Sequence, residues 1–139
     1  MFKLRKKAMT LMELTVVVVL IGILAGIGIA SFRKTIANAR IREAQSLLLL
    51  IKHAEEVYRA ESNTFVTCAN NGNCNDILRL NLPTPASPTW VYTVPNAGVN
   101  TACALATPQI ADIPNSYRIR LDTDNPANDE SEAVIGGCP

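Results

Sequence analysis

Leu14-Thr15-Val16-Val17-Val18-Val19-Leu20-Ile21-Gly22-Ile23-Leu24-Ala25-Gly26-Ile27-Gly28-Ile29-Ala30-Ser31-Phe32 is a run of nineteen residues without a charge, rich in Val, Ile and Leu. As a helix rising about 1.5 Å per residue it is roughly 28 Å long, close to the hydrocarbon thickness of a bilayer. It exceeds the roughly 7 to 15 apolar residues of a secretory signal and lacks a small-x-small exit, so the run is expected to be retained. Lys3, Arg5, Lys6 and Lys7 precede it; Arg33, Lys34, Arg40 and Arg42 follow it and compete with them in the positive-inside count.

Beyond Phe32 the pattern turns amphipathic. Ile36, Ala37, Ile41, Ala44, Leu47, Leu48, Ile51, Ala54, Val57 and Tyr58 recur at helical spacing, with Arg40, Arg42, Glu43, Lys52, Glu55 and Glu56 between them. No proline occurs from Met1 to Asn63, so nothing there forces a break, although Gly22, Gly26 and Gly28 each weaken a helix by about 1 kcal/mol relative to alanine. The expectation is one long helix from about Thr10 to about Glu61. It should stop near Ser62 and Asn63, where turn-forming residues replace the periodic pattern.

All four cysteines, Cys68, Cys74, Cys103 and Cys138, come after the helical half. An even count in a short, Pro- and Asn-rich region favours disulfides in an oxidising compartment, which places the C-terminal part outside the cytoplasm. Three connectivities exist in principle. Cys68 with Cys74, across a tight loop containing Asn71 and Gly72, is favoured, leaving Cys103 to tie down the tail at Cys138. A zinc site is the rival, but the spacings lack a paired C-x-x-C and the single histidine, His53, lies upstream on the helical pattern.

Strands are predicted at Trp90 to Val94, Cys103 to Ala106, Tyr117 to Leu121 and Glu132 to Ile135, each bounded by Pro, Gly, Asn or Asp. Their short connections make an antiparallel sheet, and the apolar stripe from Ile36 to Tyr58 is the long helical face that can cover it. Trp90, Tyr92, Leu105, Tyr117, Ile119 and Leu121 are the candidate core positions. The segment Pro83-Thr84-Pro85-Ala86-Ser87-Pro88 reads as an extended connector.

The fold class is therefore α+β: a long N-terminal helix, membrane-spanning in its first half, packed on a small antiparallel sheet. A chain of 139 residues holds a single modest domain of this kind and leaves no room for a two-domain enzyme. Four of the thirteen basic residues lie in the first seven positions, so the remainder is slightly acidic, which argues against a nucleic-acid partner. Neither a nucleophile motif nor a metal-ligand cluster is present, so no catalysis and no cofactor are expected.

The segment Lys6-Lys7-Ala8-Met9-Thr10-Leu11-Met12-Glu13-Leu14, followed by the apolar run and Ile21-Gly22-Ile23-Leu24-Ala25, resembles the processing and assembly signature of type IV prepilins and type II secretion pseudopilins. The resemblance covers about the first third of the chain closely and the rest in general architecture. It implies a prepilin peptidase that cuts between basic leader and apolar segment, methylates the new amino terminus and leaves glutamate as the fifth mature residue. Glu13 then places the cut after Ala8, with Met9 as the new terminus. The family usually has glycine and phenylalanine at those two positions, and a proline near the end of the apolar run where this chain has Ala30.

On that resemblance the chain divides into a cleaved leader (1–8), a transmembrane and filament-core helix (9–32), its amphipathic continuation (33–62) and a disulfide-tied sheet domain (63–139). A carboxylate in an apolar segment costs about 2.5 to 3.5 kcal/mol on insertion scales, so Glu13 should have a partner. The resemblance supplies one: the Met9 amine of a neighbouring subunit. It also implies self-association into a helical homopolymer, and an inner-membrane assembly machinery. The subunit would wait in the inner membrane and end in an extracellular filament on a bacterial cell surface.

A pseudopilin of a type II secretion system and a membrane-tethered extracytoplasmic binding module are the alternatives. Some pseudopilins bind calcium near the C-terminus, and Asp122, Asp124, Asp129 and Glu130 are weak candidates for such a site. Their spacing does not match an EF-hand, and a solvated acidic turn is the simpler reading. His53, among charged residues, reads as a surface side chain.

Overall fold

The computed structural model describes residues 10–84 and 89–139, without the side chains at 27–31. The expected leader Met1–Ala8, the new terminus Met9 and residues 85–88 of the connector, Ser87 among them, lie outside the described residues. The elements run α1 (Leu11–Ser62), α2 (Asn71–Leu78), β1 (Trp90–Ala97), β2 (Thr101–Pro108), β3 (Tyr117–Asp122) and β4 (Val134–Ile135). The chain divides into two compact units between Ile36 and Ala37.

In the first unit, α1 starts within one residue of the expected position, and every residue from Leu11 to Gly26 is exposed. No helix among the described residues is long and apolar enough to cross a membrane. The expected span, 9–32, takes in Met9 and the side chains at 27–31, which lie outside the described residues. The part of the uncharged run whose side chains are described without interruption, Leu14 to Gly26, is 13 residues, short of the roughly 20 a crossing needs.

The second unit is an α+β body built on a four-stranded antiparallel sheet in the order β1-β2-β3-β4. Side chains alternate along a strand, so each strand commits one face to the core. On β3 that face is Tyr117, Ile119 and Leu121; on β1 it is Trp90, Tyr92 and Val94. Between them β2 contributes small residues, Ala102, Ala104 and Ala106, paired to Leu121, Ile119 and Tyr117. Large residues flanking small ones let Ala44, Leu48 and Ile51 of α1 join the same core. Trp90 crosses the Tyr117 ring edge to face, with centroids 5.9 Å apart, and donates from Nε1 to the Arg40 carbonyl at 3.1 Å.

Leu105 corrects the expected core set. It is only half-buried, because it lies one residue out of phase with the alanines and faces the other side of the sheet. β1 continues past Val94 to Ala97, with the register shifting between Thr93 and Asn96. Pro95 sits at this irregularity; having no N–H to give a ladder, proline is tolerated at a bulge.

The helical stop falls where the residues require it. Asn63 has φ 58°, in the left-handed region that asparagine tolerates, and donates its N–H to the Arg59 carbonyl at 2.8 Å. The expected tight loop between Cys68 and Cys74 is instead the start of α2, a short helix capped by Asn70, whose side chain accepts from the Asn73 N–H at 2.9 Å. Asn71 is buried and acts as a surrogate strand edge. It accepts the Tyr92 N–H at 2.7 Å and donates to the carbonyls of Trp90 and Pro83.

Two polar residues of α1 are buried against expectation. Lys52 is 6% exposed; its ammonium donates to Asp129 Oδ2 at 2.9 Å and to the Glu130 carbonyl at 2.8 Å. Glu55 is fully buried, accepts the Val66 N–H on Oε2 at 3.0 Å and has no partner for Oε1 among the described residues. Burial pushes its carboxyl from 4.5 up to about 7, opposed by the bond from Val66. Tyr92 is likewise pushed up, first by burial and then by the charge of Glu43.

Candidate processing and assembly site

Glu13 stands in the first turn of α1, with its backbone N–H donated to Thr10 Oγ1 at 3.2 Å. Leu14 N–H donates to the Thr10 carbonyl at 3.2 Å, which makes Thr10 the N-cap. The spacing Thr10-Leu11-Met12-Glu13 is that of a capping box, and a carboxylate in a first turn also faces the partial positive charge of the helix N-terminus. Reading Glu13 solely as a charge in an apolar segment missed this local role; Thr10, three residues earlier, was the signal. The other residues expected at the processing step, Ala8 and Met9, lie outside the described residues.

Around Glu13 the helix is apolar on every side. Leu11, Met12, Leu14, Val16, Leu20, Ile23 and Leu24 are all exposed, Met12 at 77% and Leu24 at 70%. A helix apolar all round needs an apolar surround, from lipid or from other chains. Gly22 and Gly26 have nothing within 4 Å of where a Cβ would stand.

In the second unit Cys68 is bonded to Cys74, with Cα atoms 5.1 Å apart, and Cys103 to Cys138, with Cα atoms 5.9 Å apart. This is the pairing the spacing favoured. The first bond fixes α2 beside β1, where the Cys68–Val94 bridge adds two hydrogen bonds. The second closes 35 residues of separation and carries the tail back to β2. Arg118 Nη1 to the Gly137 carbonyl and Asn96 Nδ2 to the Pro139 carbonyl hold the tail as well.

The four acidic residues weighed as calcium ligands are each engaged by protein donors. Asp122 accepts from the N–H groups of Asp124 and Asn125 and from Asn128 Nδ2, and these bonds hold its carboxyl below its usual range, the one from Asn125 most. Asp124 accepts from Asn100, Asp129 from Lys52, and Glu130 from the Arg120 N–H and Arg118. Among the described residues no group of three or more His, Cys, Asp or Glu side chains is placed to hold a metal ion. His53 is exposed and lies 3.2 Å from Glu56.

An open groove of about 510 Å³ in the second unit is lined by Glu56, Arg59, Asn63, Phe65, Asp122 and Asp129, among others. Its cation is committed elsewhere: Arg59 donates from Nε to the Val99 carbonyl at 2.8 Å and stacks over Phe65.

Neither protein-family models nor curated proteins give a match to this sequence.

Proposed function

We propose that this chain is a structural subunit of an extracellular type IV pilus, made with a cleaved basic leader and polymerised through α1. The observation that carries the reading is the conjunction at the N-terminus. A basic leader, small Ala8 and Glu13 as the fifth residue beyond the cut stand at the start of a helix whose apolar side chains from Leu11 to Gly26 are exposed on every side. Before assembly the run 14–32 spans the inner membrane. After it, the same side chains pack against those of neighbouring copies.

Lipid and a helix bundle are about equally apolar, so burial by itself discriminates little between the two states. Specificity then falls on polar contacts. The Met9 amine freed by cleavage and the Glu13 carboxylate of a neighbour form a charge pair inside the filament core. A slip in axial register leaves both charges unpaired where the dielectric is low, and that penalty fixes the register. The disulfide-tied sheet stays outside the membrane throughout, in keeping with its two closed bonds.

Glu13→Ala and Glu13→Gln test this together. Both remove the charge, whereas glutamine keeps the N3 side chain of a capping box. Both variants should insert in the membrane at least as well as the natural chain, fold with both disulfides closed, and give few or no surface filaments. Normal filaments from the glutamine variant would make Glu13 a helix cap. Normal filaments from both would leave it without a part in assembly and favour the tethered-module reading.

A further inference from the structure

Resting on the filament reading, we infer that Arg33 and Lys34 of one copy dock against Glu56 and Glu61 of a second copy. Residues 33–42 contain four basic side chains and no acidic one, while residues 43–139 contain eleven acidic and five basic. Arg33 and Lys34 are exposed and make no ion pair among the described residues. Of the five basic residues in 43–139, Lys52 and Arg118 are already paired with Asp129 and Glu130. Residues 43–139 are therefore net negative, while Arg33 and Lys34 are left without an ion pair among the described residues.

Topology sharpens the point. Once the leader is removed, every Lys and Arg of the chain lies on the translocated side of the apolar run, against the tendency of cationic residues to stay inside. A basic stretch left on the translocated side after the cut is best accounted for by a partner met outside the membrane. The chemistry required is a surface carrying carboxylates, and a second copy of this chain brings one.

Among the acids of α1 beyond Glu13, Glu55 is buried, and Glu43 is flanked in sequence by Arg40 and Arg42. That leaves Glu56 and Glu61, both exposed in the last turns of the helix. Glu56 has His53 at 3.2 Å as a near neighbour, and Glu61 makes no ion pair among the described residues. The two clusters lie 22 to 28 residues apart in the sequence, so the pairing joins copies that are staggered along the filament. The pairing would be rim-like and partly solvated, so it acts on register and encounter more than on bulk affinity.

Charge reversal with compensation is the test, carried out on the natural chain in the cells that make it. Arg33→Glu with Lys34→Glu, and separately Glu56→Lys with Glu61→Lys, should each lower surface filaments at least tenfold. Membrane levels should stay normal and both disulfides closed. All four substitutions together should restore filaments to within about threefold of the natural chain. Filaments from the natural chain with no recovery in the fourfold variant would overturn the pairing and leave the filament reading intact. Loss of the Arg33/Lys34 variant from the membrane fraction, unrecovered by the glutamate changes, would assign the basic stretch to anionic lipid headgroups and overturn the pairing. Absence of filaments from the natural chain would overturn both.

Discussion

Replacing Glu55 by glutamine removes the one fully buried carboxylate of α1 while keeping its shape and its acceptor for the Val66 N–H. The carboxyl titrates at about 7 in the folded chain against 4.5 in the unfolded one, because burial disfavours the charged form more than the Val66 bond favours it. Between those values the folded state holds a proton that the unfolded state has released. Stability is therefore fully present below about pH 4.5, falls as pH rises, and has lost its whole share once pH passes about 7. At about 1.4 kcal/mol per pH unit the loss is about 3 kcal/mol. Glutamine cannot ionise, so from pH 4.5 to pH 8 the variant should gain about 3 kcal/mol on the natural chain, on top of a pH-independent offset from its amide N–H lacking an acceptor. Urea unfolding of the detergent-solubilised, disulfide-closed chain from pH 4.5 to 8 measures the difference, in which all other titrating groups cancel. Parallel stability curves for the two chains across that interval would refute the reasoning.

Opening the Cys103–Cys138 bond by a double Cys→Ser change should cost about 4 kcal/mol and opening Cys68–Cys74 about 2 kcal/mol, in proportion to the loops they close; urea midpoints rank the two. Lys52→Met should cost about 1 to 3 kcal/mol, because the Glu130 carbonyl loses its charged donor and Asp129 its partner. The same change should raise amide exchange through 123–130 more than in α2, a contrast that hydrogen exchange reads directly.

The parts of this chain governed by local pattern could be read from the sequence. The helix end at Ser62 and Asn63, the positions of β1 to β3 and the pairing of the cysteines follow from periodicity, turn residues and loop length, all local properties. What escaped depended on distant partners. Lys52 and Glu55 carry the same signature as exposed helix positions, and only Asp129, the Glu130 carbonyl and the Val66 N–H explain their burial. Leu105 was misassigned because a four-residue strand guess fixes the strand but not which face of it turns inward. In β2 that face is set by the pairing of Ala104 with Ile119. The helix α2 went unread because Asn70-Asn71-Gly72-Asn73 has the composition of a turn. It becomes a helix through the Asn70 cap, the Cys74 bond and the hydrogen bonds Asn71 makes to β1. At the N-terminus the charge pattern around Glu13 was read, and the Thr10 cap beneath it was not.

On the proposed reading the chain is cut after Ala8 and polymerises from its new terminus. Intact-mass analysis of filaments sheared from the surface of the producing cells, with sequencing of the N-terminal peptide, tests it most directly. The account predicts filaments whose main component begins at Met9, carries one methyl group on its amine, lacks Met1 to Ala8 and holds two closed disulfides. Assembled protein that still begins at Met1, or this chain found solely in the membrane with no filament containing it, would contradict the account.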